Sequence, residues 1–354
     1  DMDFLPPAEA VEAVKQRAAL GIYGYSFQPD GLPPALVDWE RERHDWNIEK
    51  AWIVQSPGVV TSLSLLVELL TEPGDGVIIQ TPVYYPFYDV IRMNGRSVVK
   101  NPLKLENGQF RIDFDQLEQL MADEANKCLM LCSPHNPGGR VWSRDELVRM
   151  GEMALKYNVR IICDEIHQDL VFSGYKHIPL ASLSPEIAAI TATCVAPSKT
   201  FNVAGLHTSF VIISDGELRN RYIQRQRALS LHMNSFFGGA AAEACYRHGA
   251  EWLDQLLVYL EGNLDYTVDY FARNLPQCKV IRPEGTYLVW VDCRAVSTEP
   301  EVLKKLMFEE ARVAFNEGSM FGEEGRGFLR INIACPRSLL EEGLRRFAEA
   351  VNRR

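Results

Sequence analysis

The chain has 354 residues, 47% of them hydrophobic, which is enough to bury a sizeable core and to divide into two lobes. Its 37 basic and 47 acidic residues give a net charge of −10 without any long Lys/Arg block, so binding of nucleic acid by counterion release has no footprint here. No apolar run approaches the ~20 residues that span a bilayer and no signal segment opens the chain, so a cytoplasmic small-molecule enzyme or regulator is expected. The first residue is Asp1 rather than Met, which leaves room for a leading segment.

Short β-rich runs alternate with helical patterns along the first two thirds of the chain. WIVQSP, GVIIQT, KCLMLCSP, RIICDE, TATCVAPS and TSFVIIS read as strands, and stretch 143–157 reads as an amphipathic helix among them. This alternation predicts an α/β fold with a mostly parallel sheet covered by helices on both faces. From about 250 the texture changes to a long helix (251–274), the strand-like KVIRP and GTYLVWVD, a helix at 300–315, the strand FLRINIA and a closing helix at 338–352. These elements predict a smaller α+β domain, so the expected division is 25–250 for a large domain and 1–24 with 251–354 for a small one. Eight cysteines are scattered without a CxxC pair, which points to reduced core thiols rather than a metal or redox site.

In a doubly wound sheet, ligands bind beyond the carboxyl ends of the strands, and several polar clusters fall there. Gly58-Val59-Val60-Thr61 follows WIVQSP and feeds a helix whose free N–H groups suit a phosphate, although a plain helix start reads the same way. Asp164-Glu165-Ile166-His167 follows RIIC, placing two acids and an imidazole at the end of a buried strand. Pro197-Ser198-Lys199-Thr200 follows TATCVA, putting a lysine among small and apolar residues. A desolvated lysine has a lowered pKa and can form a Schiff base with a carbonyl, whereas most lone lysines are solvated surface groups.

Four motifs in order, SPHNPGGRVW, CDEIHQDLVF, APSKTFNVAGL and FLRINIACPR, resemble the fold-type I pyridoxal-phosphate enzymes related to aspartate aminotransferase. Further marks, among them DMDF, IYGY, TPVYYPFY, PEGTYLVWVD and MFGEEGRG, resemble the MalY/PatB type of cystathionine β-lyase (C–S lyase) within that superfamily. The resemblance implies pyridoxal 5′-phosphate as cofactor, with Lys199 as its Schiff-base lysine and the base for the substrate Cα proton. It implies that Asp164 pairs with the ring N1–H, that Asn136 bonds the 3′ oxygen and helps bind substrate, and that Tyr84, or the adjacent Tyr85, stacks on the ring. It further implies that Ser198 and the amides of Val59, Val60 and Thr61 hold the phosphate, that His167 lies beside the cofactor, and that Arg330 grips the substrate α-carboxylate. Tyr25 would reach the phosphate of a neighbouring subunit, making the enzyme a homodimer with shared sites.

Three positions depart from the wider aminotransferase pattern. His207 stands where an arginine is usual, Ala196 where a serine is frequent, and His167 where a tyrosine is usual, the last as in the C–S lyase group. The reaction implied is α,β-elimination on L-cystathionine or a related cysteine S-conjugate, giving a thiol such as homocysteine, pyruvate and ammonia. An amino-acid aminotransferase would use nearly the same residues, and a cofactor-binding regulator with little turnover is the reading from another class.

Overall fold

The computed structural model describes residues 1–233 and 235–354. In chain order its strands are β1 (Ile53–Ser56), β2 (Gly76–Ile79), β3 (Ser97–Lys100), the hairpin β4 (Lys104–Glu106) and β5 (Gln109–Arg111), then β6 (Asn126–Cys132), β7 (Arg160–Asp164), β8 (Thr191–Val195) and β9 (Ser209–Ile212). Seven of them form one sheet in the order β1-β9-β8-β7-β6-β2-β3. Neighbours pair in parallel except at β9, which runs antiparallel to both β1 and β8. The central strands are apolar on both faces, as a sheet covered by helices on each side requires; Val77, Ile78, Ile79, Leu129, Met130, Ile161 and Ile162 have no exposed surface.

The six strand-like runs of the first part thus form strands, and the mostly parallel α/β architecture stands as expected. The segment read as 143–157 is the helix Arg144–Lys156. Its start is fixed by a reciprocal cap: the Glu146 N–H donates to Ser143 Oγ at 3.3 Å, and the Ser143 N–H donates to Glu146 Oε2 at 2.8 Å. The edge strand β3 and the β4–β5 hairpin, short and half exposed, carry too little apolar alternation to be read from sequence.

The last third contains an antiparallel sheet, β10 (Lys279–Ile281), β11 (Leu288–Asp292), β12 (Asn316–Glu317) and β13 (Phe328–Asn332), in the order β10-β11-β13-β12. Helices Ala250–Asn274 and Arg337–Asn352 turn apolar stripes to the same core: Leu253, Leu256, Leu260, Leu264 and Phe271 from one, Leu340, Leu344 and Phe347 from the other. The helix expected over 300–315 is shorter. It runs as Pro300–Lys305, widens into the turn Leu306–Ala311, and stops at Arg312, which takes the left-handed conformation at φ 54°. The break lets Phe315 swing against Phe347, ring centres 5.6 Å apart, and frees Asn316 to pair with Arg330 across β12 and β13. Helix Ala8–Ala19 packs on helix Gly238–His248, and the core that backs the second sheet continues into helix Leu32–His44.

The loop after β6 is pinned by buried charges. Glu284 Oε2 accepts from Arg140 Nε at 2.9 Å and from the Val141 N–H at 2.8 Å, while Arg140 also binds Glu146 and the Phe110 carbonyl. Gly139, at φ 68°, lies so close to this contact that a Cβ there would meet Pro283 Cβ at 2.4 Å. Removing one partner of a buried ion pair leaves the other charge desolvated. Glu284→Ala is therefore expected to lower unfolding free energy by about 3–5 kcal/mol, read as the urea midpoint at constant slope; a loss under ~1 kcal/mol would mean that the loop relaxes to solvate Arg140.

Candidate active site

The carboxyl ends of β1, β6, β7 and β8 open on one cavity of about 590 Å³ between the two sheets. Asp164 is the last residue of β7, level with Cys132 of β6 and Cys194 of β8, so it meets the cavity at the centre of the sheet. Lys199 sits in the short helix Pro197–Thr200 that follows β8, Asn136 in the loop after β6, and Val59 and Val60 in the first turn of helix Val59–Leu70 after β1. Arg330 comes from β13 of the other sheet. Tyr84, Tyr85 and His167 complete the expected residues that line the space.

Electrostatics differ sharply from one wall to the next. Burial, reinforced by the Arg330 charge, lowers the Lys199 ammonium pKa, while Asp164 acts in the opposite direction. Burial pushes the Asp164 carboxyl up to about 7, with Lys199 pulling it back in part. Its Oδ1 accepts from the Ile166 N–H at 3.2 Å, which fixes the carboxyl at the strand end. His167 is driven down to about 3 by burial and then by the Lys199 and Arg330 charges, so its ring is neutral. Tyr84 rises to about 12, chiefly by burial, and stays a phenol.

Arg330 is half-buried and held in a fixed orientation. Its Nη1 donates to Asn136 Oδ1 at 3.0 Å, its Nη2 to Asn316 Oδ1 at 2.8 Å, and its guanidinium lies 4.5 Å from the centre of the Phe321 ring. Burial pulls it down to about 10, which leaves it charged at neutral pH. Lys199 Nζ lies 3.2 Å from Asp1 Oδ1, and Asn332 Nδ2 donates to the Asp1 carbonyl at 2.7 Å.

The donor set suits a phosphorylated aldehyde on a nitrogen heterocycle. An amine with a lowered pKa faces a carboxyl able to hold a ring N–H, and His167 Nδ1 is buried without a hydrogen-bond partner. The amides of a helix's first turn have no acceptor inside the helix, so those of Val59, Val60 and Thr61 are free to receive an anion. Not every expected residue converges. Thr61 and Ser198 are half-buried and do not line the cavity, and Tyr25, 90% exposed, stands away from the cavity of its own chain. Gly138 and Gly139 approach protein atoms of His135, Phe110 and Pro283 rather than the cavity.

Among the lining residues that the sequence reading did not name as site residues are Asp1, Tyr287, Asn316 and Asn332. Asn316 was hidden inside the segment read as helix. Asn332 had a usable signal, since it lies on β13 two residues beyond Arg330 and so on the same face.

The sequence profile described as "Aminotransferase class I and II" matches residues 1–347, and the chain belongs to that family. It is 41% identical over 352 residues to cystathionine beta-lyase PatB of Bacillus subtilis (strain 168), covering 99% of this chain and 91% of that protein. Protein MalY of Escherichia coli (strain K12) is 35% identical over 353 residues, covering 99% and 90%. Among solved structures, cystalysin from Treponema denticola, which contains pyridoxal 5′-phosphate, superimposes with a TM-score of 0.97 at 38% identity, covering all of this chain and 90% of that one.

Proposed function

We infer that this chain is a pyridoxal 5′-phosphate-dependent carbon–sulfur lyase that splits L-cystathionine or a related L-cysteine S-conjugate by α,β-elimination. The observation that carries the reading is the meeting of Lys199, Asp164 and Arg330 in one cavity, in a chain 41% and 33% identical to two proteins named cystathionine beta-lyase. Overall, an S-conjugate and water give a thiol, pyruvate and ammonia. Bound pyridoxal phosphate supplies an aldehyde that captures the substrate amine and a protonated ring that accepts the electron pair released at Cα.

The remaining work falls to this chain's own groups. The lowered pKa of the Lys199 amine keeps more of it neutral near pH 7, so it is fit to take the Cα proton and to return a proton to the leaving thiolate. Asp164 would hold a proton on the ring nitrogen, and the Val59 and Val60 amides would hold the phosphate, with Thr61 and Ser198, half-buried next to residues of the lining, as further donors. Tyr84 offers its ring face for stacking, and His167 and Asn136 offer polar atoms along the ring edge. Arg330, oriented by Asn136 and Asn316, would take the α-carboxylate as a planar two-point donor.

Arg330→Ala is expected to raise KM for L-cystathionine by about 10–100-fold with a smaller change in kcat, since a carboxylate contact is present before and during reaction. An unchanged KM in steady-state assays would move the carboxylate site elsewhere. The reading as a whole is tested by incubating pure protein with L-cystathionine and assaying pyruvate and free thiol. Both products without an added keto acid support the lyase. Dependence on a keto-acid acceptor makes the chain an aminotransferase, and no product with cofactor bound makes it a regulator.

The same proposal includes a homodimer. The exposed run Leu20, Ile22, Tyr23, Tyr25 and Phe27 supports it, because so contiguous an apolar stretch is costly in water, and Tyr25 from one subunit would serve the phosphate of the other. A large domain of 25–250, with 1–24 and 251–354 forming the small one, and a cytoplasmic location belong to the proposal too. All eight cysteines are buried and free, as suits a reducing compartment, and among the described residues no helix is long and apolar enough to cross a membrane.

A further inference from the structure

Behind the turn that follows Asp164 and carries His167, away from the residues that line the cavity, lies a row of buried ionisable groups that the reaction does not use. Asp169 Oδ1 accepts from Trp39 Nε1 at 3.0 Å and faces His44 Nε2 at 2.8 Å, both from helix Leu32–His44. Asp169 Oδ2 accepts from Thr200 Oγ1 at 2.6 Å. A second tie joins the same helix and turn, where Gln168 Nε2 donates to Glu40 Oε1 at 2.6 Å. The turn itself is stiffened by Gln168 N–H to Glu165 O and Leu170 N–H to His167 O, both 2.9 Å. Beyond it Glu165 Oε2 faces His177 Nε2 at 3.1 Å, and the His177 and His44 rings meet edge to face with centres 5.5 Å apart.

This is not a nucleophile with its base. Thr200 donates to the carboxylate rather than to an imidazole, and its side chain has no exposed surface. Burial raises the Asp169 carboxyl, but the hydrogen bond and electrostatic attraction of His44, with hydrogen bonds from Thr200 and Trp39, outweigh it and hold the group below the ordinary carboxylate range, hence ionised. One anion thus ties together three elements: its own turn, which directly follows Asp164 at the end of β7, the short helix that carries Lys199, and helix Leu32–His44.

We propose that Asp169 is a positioning residue that sets the placement of Lys199 relative to Asp164 by clamping the segments that carry them, through Thr200, to helix Leu32–His44. The inference rests on the lyase reading, in which the proton carrier and the partner of the ring nitrogen must keep a fixed separation. A displacement of about 1 Å between catalytic groups costs up to ~10²-fold in rate. Lys199 feels Asp164, Arg330, Asp1 and His167 from the surrounding elements, so a shift of its backbone changes the balance of all four.

The test uses the cofactor-loaded protein and the variants Thr200→Val, which keeps shape and removes the hydroxyl, and Asp169→Asn. Each is read by kcat and KM for L-cystathionine, by pH titration of the bound-cofactor absorbance, and by urea unfolding. The expected result is a fall in kcat of roughly 10- to 100-fold with KM within about twofold, a moved titration midpoint, and a smaller effect of the second substitution once the first is present. A merely structural clamp would shift the urea midpoint and leave the absorbance titration where it is, which would overturn the proposal. If Asp169→Asn does not fold, Thr200→Val decides alone, since one lost hydrogen bond costs only ~1 kcal/mol. Borohydride trapping on the unmodified chain separates the two levels. A cofactor tag on Lys199 with unmoved variant titrations sinks the positioning role alone, whereas no tag on Lys199 sinks the lyase reading and this inference together.

Discussion

Lys199→Ala is expected to lower pyruvate release from L-cystathionine by about 10⁴-fold and to abolish the near-visible absorbance of the bound cofactor. Two functions meet in this one amine. It is the group that would bind the aldehyde covalently and the group that would take the Cα proton, so its loss would remove both attachment and proton transfer. No other lysine lines the cavity among the described residues, and a neighbour cannot take over. The check is steady-state turnover together with borohydride reduction and peptide mass mapping. Turnover within tenfold of the unmodified chain, or a cofactor tag on a different lysine, would show that the amine at 199 is not the reactive one.

Asp164→Ala is expected to cut kcat by about 10²–10³-fold while leaving the covalent attachment at Lys199 in place. The carboxyl is worth most where the ring nitrogen must stay protonated, because a neutral ring takes up the electron pair at Cα poorly. Near-native kcat would mean that another group holds that proton. The same residue predicts a pH effect on stability. In the cofactor-free protein the Asp164 carboxyl titrates near 7 because of burial, above its ordinary value of 3.8, so the folded state binds the proton more tightly than the unfolded one. The resulting stabilisation is full below pH 3.8 and fades as pH rises to about 7. A cationic ring nitrogen opposite the carboxyl favours its ionised form and should remove this loss. Urea midpoints of the cofactor-free and loaded protein, compared from pH 4 to 8, measure the difference; parallel curves would separate Asp164 from the ring nitrogen.

The fold could be read from the sequence where burial is two-sided. Runs such as GVII and RIIC are apolar throughout because both sheet faces are covered, and that signal survives without any knowledge of neighbours. It fails for β3 and for β12, short edge strands that are only partly buried; Asn316 and Glu317 become a strand only because β13 lies beside them. The site divides in the same way. Lys199 and Asp164 lie at or just beyond strand ends, so local order announces them, whereas Asn136 was named through resemblance. Arg330 was named through resemblance, and its orientation by Asn316 is a contact between two segments whose meeting depends on the break at Arg312. Asp169 lies within the quoted motif CDEIHQDLVF, yet its link to Thr200 spans the helix Pro185–Ile190 and strand β8 and leaves no mark in the sequence.

Arg330 stands on the four-stranded sheet, whereas Lys199 and Asp164 stand at the rim of the seven-stranded one. An amino acid engaged at both its carboxylate and its amine would therefore act as a strut across the cleft. A decarboxylated analogue, touching one wall only, would leave the opposite wall free to drift. Such a compound should bind with little of the rigidity that a full substrate imparts, and amide exchange in β13 would slow with the latter far more than with the former.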